Sequence, residues 1–186
     1  GGFSAVTLPM EVPENGSHDG VFNMNPKEFN YMNLHLLQRS VHSYNGKTFA
    51  ELIHGGRCMI RTDIPLLGAS DSEYQGRHVK GMDAKDMEEV IALCVEFAHQ
   101  ARRSGFDGIM MHFAHGWLFH DFLSPLSNHR ADEFGGSVEN RCRFPLMALK
   151  AVREVIGDDL LIELRLNGND EMEGGITPED AAQQAL

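Results

Sequence analysis

The chain has 186 residues, with 16 Lys and Arg against 27 Asp and Glu, and a formal charge of −11. That sign is wrong for a protein that neutralises nucleic-acid phosphates, and 42% hydrophobic with 23% charged residues excludes a disordered tail or a coiled coil as the main character. No run of about 18 apolar residues and no charged-then-apolar leader is present, so the expectation is a cytoplasmic protein with no membrane span.

Cys58, Cys94 and Cys142 are too widely spread for a CxxC knuckle and fit a reducing compartment, where they serve as small buried hydrophobes. From the N-terminus, Phe3 to Pro9 is short, apolar and β-branched, the pattern of a buried strand. A polar loop leads to Asn25 and Pro26, where a helix can open, with Phe29, Met32, Leu36, Leu37 and Val41 at helical spacing until Asn45-Gly46. Thr48 to Ile53 reads as a second strand, ending at His54-Gly55-Gly56-Arg57. Residues 58–82 have little periodicity and are expected to form a long loop or an inserted excursion. Asp83 to Ser104 resumes a helical pattern, Phe106 to Met111 is a third strand, Ser137 to Ile156 a further helix and Leu160 to Leu166 a fourth strand. Thr177-Pro178 then opens a last helix, as N-cap and first-turn proline.

Alternating strands and helices imply parallel strands joined by right-handed crossovers, so the fold class is α/β. An open doubly wound sheet competes with part of a (β/α) TIM-type barrel; Pro9-Met10-Glu11-Val12-Pro13 occupies the turn where a nucleotide fingerprint would put glycines. Residues 1–186 read as one partial barrel domain of about four β/α units. From the Gly1-Gly2 opening and the uncapped helical end, the expectation is a piece cut from a longer chain.

Polar residues gather at the strand ends: Glu51 and His54 to Arg57, then His112, His115, Trp117 and His120, then Arg165, Asn167 and Asp170. His112 and His115 can share a pocket only if the strand ends between them and the chain turns, which Gly116 allows. Two imidazole N–H donors suit a carbonyl oxygen or an anion. The rival uses are a metal site with His54, as in a metal-dependent barrel hydrolase, and plain hydrogen-bonded packing. Arg165 closes an apolar strand, so its guanidinium needs either an acidic partner, for which Glu51 is placed, or an electron-rich ligand. Arg130, Asp132 and Arg141 read as pins of the loop before Ser137, which can cap the helix that follows.

The stretch from Gly105 to Asp170, with G-F-D-G-I-M-M-H-F-A-H-G-W-L-F-H-D-F-L-S-P-L-S-N-H-R-A-D-E-F-G-G-S-V-E-N-R-C-R-F and the L-R-L strand, closely resembles the Old Yellow Enzyme family. The earlier A-E-L-I-H-G-G-R is similar to that family's Q-L-x-H-x-G-R signature. These are FMN-dependent ene reductases, with dienoyl-CoA reductase and enoate reductase branches. The resemblance implies a TIM barrel with FMN at its C-terminal mouth and hydride transfer from NAD(P)H through FMN to an activated C=C bond of a small unsaturated carbonyl substrate. It also implies that His112 and His115 hold the substrate carbonyl and that Arg165 lies beside the flavin pyrimidine edge. Trp117 stands where the family has a tyrosine acid, and an indole is no acid at neutral pH. Glu51 replaces a flavin-binding glutamine and keeps only acceptor capacity. A whole barrel needs about eight strands and ~250 residues. The expectation is therefore weak or no FMN binding by the chain alone, with self-association or a complementing barrel half. An alternative is an impaired or non-catalytic remnant, or an assembly subunit, of the same fold.

Overall fold

The computed structural model describes residues 4–11, 22–23, 31–59 and 64–186. Its main sheet has the order β2-β1-β3-β7-β8, all parallel. The strands are β1 (Ala5–Glu11), β2 (Phe22–Asn23), β3 (Lys47–Ile53), β7 (Gly108–Phe113) and β8 (Leu161–Leu166). The helices are α1 (Tyr31–His42), α2 (Ala84–Arg103), α3 (Leu118–Leu123), α4 (Val138–Ile156) and α5 (Pro178–Gln184). The expected alternation is therefore present, and four long parallel strands stand side by side as in part of a barrel.

Three expectations shift. Residues 58–82, read as a long loop or excursion, carry β4 (Leu66–Gly68), β5 (Ser72–Tyr74) and β6 (Arg77–Gly81), a separate small sheet in the order β4-β6-β5. These strands are only three to five residues long, so they leave almost no period to read. In α1 the inward face is Leu34 and Gln38, while Leu36 and Leu37 are exposed; the Asn25-Pro26 start lies outside the described residues, as does Phe3. The third strand begins two residues later than expected, which puts His112 inside β7 rather than after it.

Helix ends follow local chemistry. The Asp83 carboxylate accepts from Asp86 N, and Asp86 returns the bond to Asp83 N, a reciprocal cap on α2. Thr177 and Asp180 do the same for α5 with Pro178 in the first turn, and the Ser137 hydroxyl accepts from Asn140 N on α4. Arg130 donates to Asp132, Ala69 O and Met82 O, and Arg141 to Leu123 O and Gly136 O, so both arginines fasten the loop ahead of α4.

Between sheet and helices lies one core. Ala50, Leu52, Ile109, Met111 and Phe113 point from β3 and β7 toward Met87, Val90, Cys94, Phe97 and Ala101 of α2 and Phe144, Ala148 and Val152 of α4. Phe119, Phe122 and Phe144 are fully buried with ring centroids 4.6–5.5 Å apart. Burial pushes the Cys94 thiol up to about 12, so it packs as a hydrophobe. Cys142 is also buried, whereas Cys58 is half-buried with its thiol 3.2 Å from Gly116 O.

At the opposite end of the strands from the site, Asp107 accepts from Lys47 Nζ (2.7 Å), His42 Nε2 (2.8 Å) and Thr48 N (2.9 Å). Burial by itself would raise its pKa, but these three bonds outweigh it and hold the carboxyl at about 2. A depressed carboxylate stabilises the fold fully above its unfolded value near 4 and loses that contribution as pH falls through the folded value. Asp107→Asn should therefore lower unfolding free energy by about 1–2 kcal/mol at neutral pH, with the difference from wild type shrinking toward zero near pH 2. Urea titrations at the two pH values read it; a difference that does not depend on pH would refute the linkage.

Candidate active site

Register decides which side chains meet. Glu51 of β3 is the direct partner of Met110 of β7, and His112 of β7 is the direct partner of Arg165 of β8. Side chains two apart share a face, so Glu51, His112 and Arg165 all lie on the side opposite the helix-packed core, toward the strand C-termini. Glu51 reaches His112 on the diagonal, a distance long side chains can span. The contact is 2.7 Å between Glu51 Oε1 and His112 Nδ1, with both groups buried. Arg165 Nη1 stands 3.8 Å from the same Oε1, and its side chain is 50% exposed.

Beyond β7 the chain turns through His115 (φ 60°) and Gly116 (φ 78°). The left-handed conformation costs a histidine roughly 1 kcal/mol or more, and the surroundings hold it there. His115 N donates to Asn167 Oδ1 (3.2 Å), and Gly116 N donates to His120 Nδ1 (3.1 Å). His120 Nε2 lies 3.1 Å from Asp170 Oδ1, and Asp170 also accepts from Ser124 Oγ, Asn167 Nδ2 and Ile176 N. Burial would raise the Asp170 pKa, yet the bonds from Ile176, Asn167 and Ser124 together with His120 keep it below the usual carboxylate range. This network locks the loop after β8 to α3 and thereby sets the His115 turn.

As a result His115 Nδ1 comes within 3.2 Å of His112 Nε2. Burial lowers the His115 pKa, His112, Arg165 and His120 push it the same way, and Glu51 opposes them. Trp117 caps the start of α3 with its ring edge-on to His112 at 6.0 Å. His54 Nδ1 accepts from Gly56 N, and burial brings its pKa down to about 4, so its ring is neutral. At Gly56 (φ 56°) a Cβ would stand 2.9 Å from Leu118 Cα, which lets the turn after β3 pass against α3. Among the described residues no group of three or more His, Cys, Asp and Glu is arranged to hold a metal ion, and no helix is long and apolar enough to cross a membrane.

Sequence reasoning assembled Glu51, His112, His115, Trp117 and Arg165 in one region, and all five stand at one mouth. It assigned nothing to the Asn167, His120 and Asp170 network beyond their clustering. The signal was there, since polar residues follow an apolar strand and a buried histidine sits within Leu118–Leu123, but the bond that ties His120 to Asp170 spans 50 residues of chain.

Parallel β/α units with a polar site at the strand C-termini define a (β/α) barrel class, of which this chain is a part. Residues 13–186 match the model of the NADH:flavin oxidoreductase / NADH oxidase family, and the chain belongs to that family. It is 39% identical over 150 residues to the NADPH dehydrogenase of Clostridium acetobutylicum, covering 79% of this chain and 44% of that protein. A 2-naphthoyl-CoA reductase complex superposes with TM-score 0.89 at 27% identity, over 99% of this chain and 31% of its own. An Old Yellow Enzyme homologue from Zymomonas mobilis superposes with TM-score 0.82 at 24% identity, over 96% and 54%. The chain thus spans less than half the length of the curated relatives it matches. The Old Yellow Enzyme resemblance and the barrel fold class hold, and FMN and NAD(P)H are the cofactors of this family.

Proposed function

We propose that this chain is the central part of a cytoplasmic, FMN-dependent NAD(P)H oxidoreductase that reduces an activated C=C bond, as in an enone or enoate. The observation that carries this reading is the meeting of His112 and His115 at the mouth where Arg165 presents a half-exposed cation. The residues fit a flavin. Arg165 has five donors and, among the described residues, a single long ion contact, with Glu51, so it can face the electron-rich pyrimidine edge, while the Glu51 carboxylate can accept from the ring N–H there. When bound, FMN supplies a two-electron carrier between NAD(P)H and substrate. The histidine pair receives the substrate carbonyl oxygen and stabilises negative charge developing on it. The free cysteines support a reducing compartment, and the acidic balance supports a small-molecule rather than a nucleic-acid partner. The remainder of the barrel, or a second copy, covers the β8 edge, where Leu161 and Leu164 are exposed.

Reconstitution with FMN of the chain joined to the remaining half of its barrel, followed by absorption spectroscopy and enone-dependent NAD(P)H oxidation, tests the proposal. A bound band near ~450 nm with enone turnover is the expected result; a protein that stays colourless and carries stoichiometric zinc sinks it. Trp117, standing where the family's acid is, favours a second reading, an impaired remnant. On that reading Trp117→Tyr should raise enone reduction by about tenfold in flavin-loaded protein, and no gain would mean that the acid is supplied elsewhere.

A further inference from the structure

We propose that Glu51, His112 and His115 form a proton relay that ends at the outer ring nitrogen of His115 and takes the place of the missing tyrosine acid. The inference rests on the reductase reading above and deepens it, since neither departure from the family pattern, Glu51 or Trp117, is explained by that reading alone.

Hydrogen-bond logic fixes the protons. A carboxylate only accepts, so the 2.7 Å contact requires His112 Nδ1 to carry the hydrogen and donate to Glu51. The neutral ring then has a bare Nε2, which must accept from His115 Nδ1 across 3.2 Å, and His115 is left with a bare Nε2. In the uncharged state the pair therefore offers an acceptor to the mouth and no N–H donor. One added proton reverses this. It charges the pair, and transfer from His115 Nδ1 to His112 Nε2 puts the cation against Glu51 and leaves His115 neutral with Nε2–H outward.

The charges around the pair do not all act alike: Arg165, the cross-strand partner of His112, opposes a cation on either ring, and the contact with Glu51 decides the placement. Glu51 from β3 attracts the cation to His112, the ring it touches. Arg165 from β8 and His120 from α3 disfavour a cation on His115. A glutamine at position 51 would keep a hydrogen-bond acceptor and lose the charge that makes the His112 cation favourable.

In the reaction the His115 Nε2–H bond breaks, and the electron pair of the substrate enolate forms the new C–H bond at the α-carbon. The proton on His112 Nε2 returns to His115 Nδ1, and water at the exposed His115 refills the relay. Nothing is oxidised or reduced in this proton step; the accompanying hydride is the NAD(P)H-derived one of the proposed reaction.

The test is ¹⁵N NMR of the histidine rings across pH in wild type, Glu51→Gln and Glu51→Asp, with activity of the flavin-loaded proteins read alongside. Expected above the transition are Nδ1–H tautomers for both His112 and His115, and a His115 midpoint that moves to lower pH in Glu51→Gln and less so in Glu51→Asp. Enone-dependent kcat should fall about tenfold in Glu51→Gln, with the KM for NAD(P)H unchanged and with partial rescue by a second change, Trp117→Tyr. An Nε2–H tautomer at His112, or an unmoved His115 midpoint, would overturn the relay. Wild-type turnover with a wild-type pH profile in flavin-loaded Glu51→Gln would also overturn it while leaving the reductase reading intact. Absence of flavin binding by the completed barrel would instead defeat the reductase reading, and the tautomers would still decide whether the relay exists.

Discussion

Asp170→Ala is expected to cost about 3–5 kcal/mol of stability, the scale seen when one member of a buried charged network is removed. The carboxylate is 6% exposed and accepts from Ser124 Oγ (2.8 Å), Asn167 Nδ2 (2.9 Å), Ile176 N (3.0 Å) and His120 Nε2 (3.1 Å). Truncation leaves four donors without their acceptor in a largely buried site, and each orphan carries its own desolvation penalty. Asp170→Asn retains one acceptor oxygen and should recover part of the loss. Denaturant midpoints measure the effect, and the His120 ring shifts report whether the network has come apart. A midpoint within experimental error of wild type for Asp170→Ala would show that these contacts are not held in solution. Because the same network positions Asn167 against His115 N, the variant should also lose enone turnover in protein that still folds.

His112→Ala is expected to lower enone-dependent kcat/KM by about 10³-fold, or ~4 kcal/mol of transition-state stabilisation, because it cuts Glu51 off from His115 and removes the ring that orients His115 toward the carbonyl oxygen. His112 lies in the middle of both contacts, 2.7 Å from Glu51 and 3.2 Å from His115. NADH oxidation by an artificial electron acceptor, which needs no carbonyl ligand, should fall far less. Equal losses in the two assays would assign His112 to flavin binding or folding instead of to the carbonyl site. The variant also leaves the Glu51 carboxylate buried beside Arg165 alone, so some loss of stability accompanies it.

How far the site could be read in the sequence depended on the range of each interaction. Caps at Ser137 and Thr177 were legible because the cap and its partner are three residues apart. The alternation of long strands and helices was legible for a similar reason: β3, β7, α2 and α4 are long enough to show their period. The small sheet in 58–82 was not, since strands of three to five residues look like any loop. Leu36 and Leu37 were placed on the inner face of α1 by spacing alone, and packing chose Leu34 and Gln38.

By itself the sequence determined an acidic, parallel α/β chain of a flavin oxidoreductase family, with Glu51, His112, His115, Trp117 and Arg165 at strand ends. Residue type and local spacing suffice for that, because turns, caps and strand periods are short-range. Only the tertiary structure decided which nitrogen of which ring faces which group. The register of β3 against β7 puts Glu51 diagonal to His112, and the bond from Asn167, 52 residues away along the chain, holds the left-handed turn that brings His115 back onto it. Those are long-range pairings, and they set the protonation of the site: one carboxylate at one end of a histidine pair turns two expected donors into a chain that needs a proton before it can donate at all.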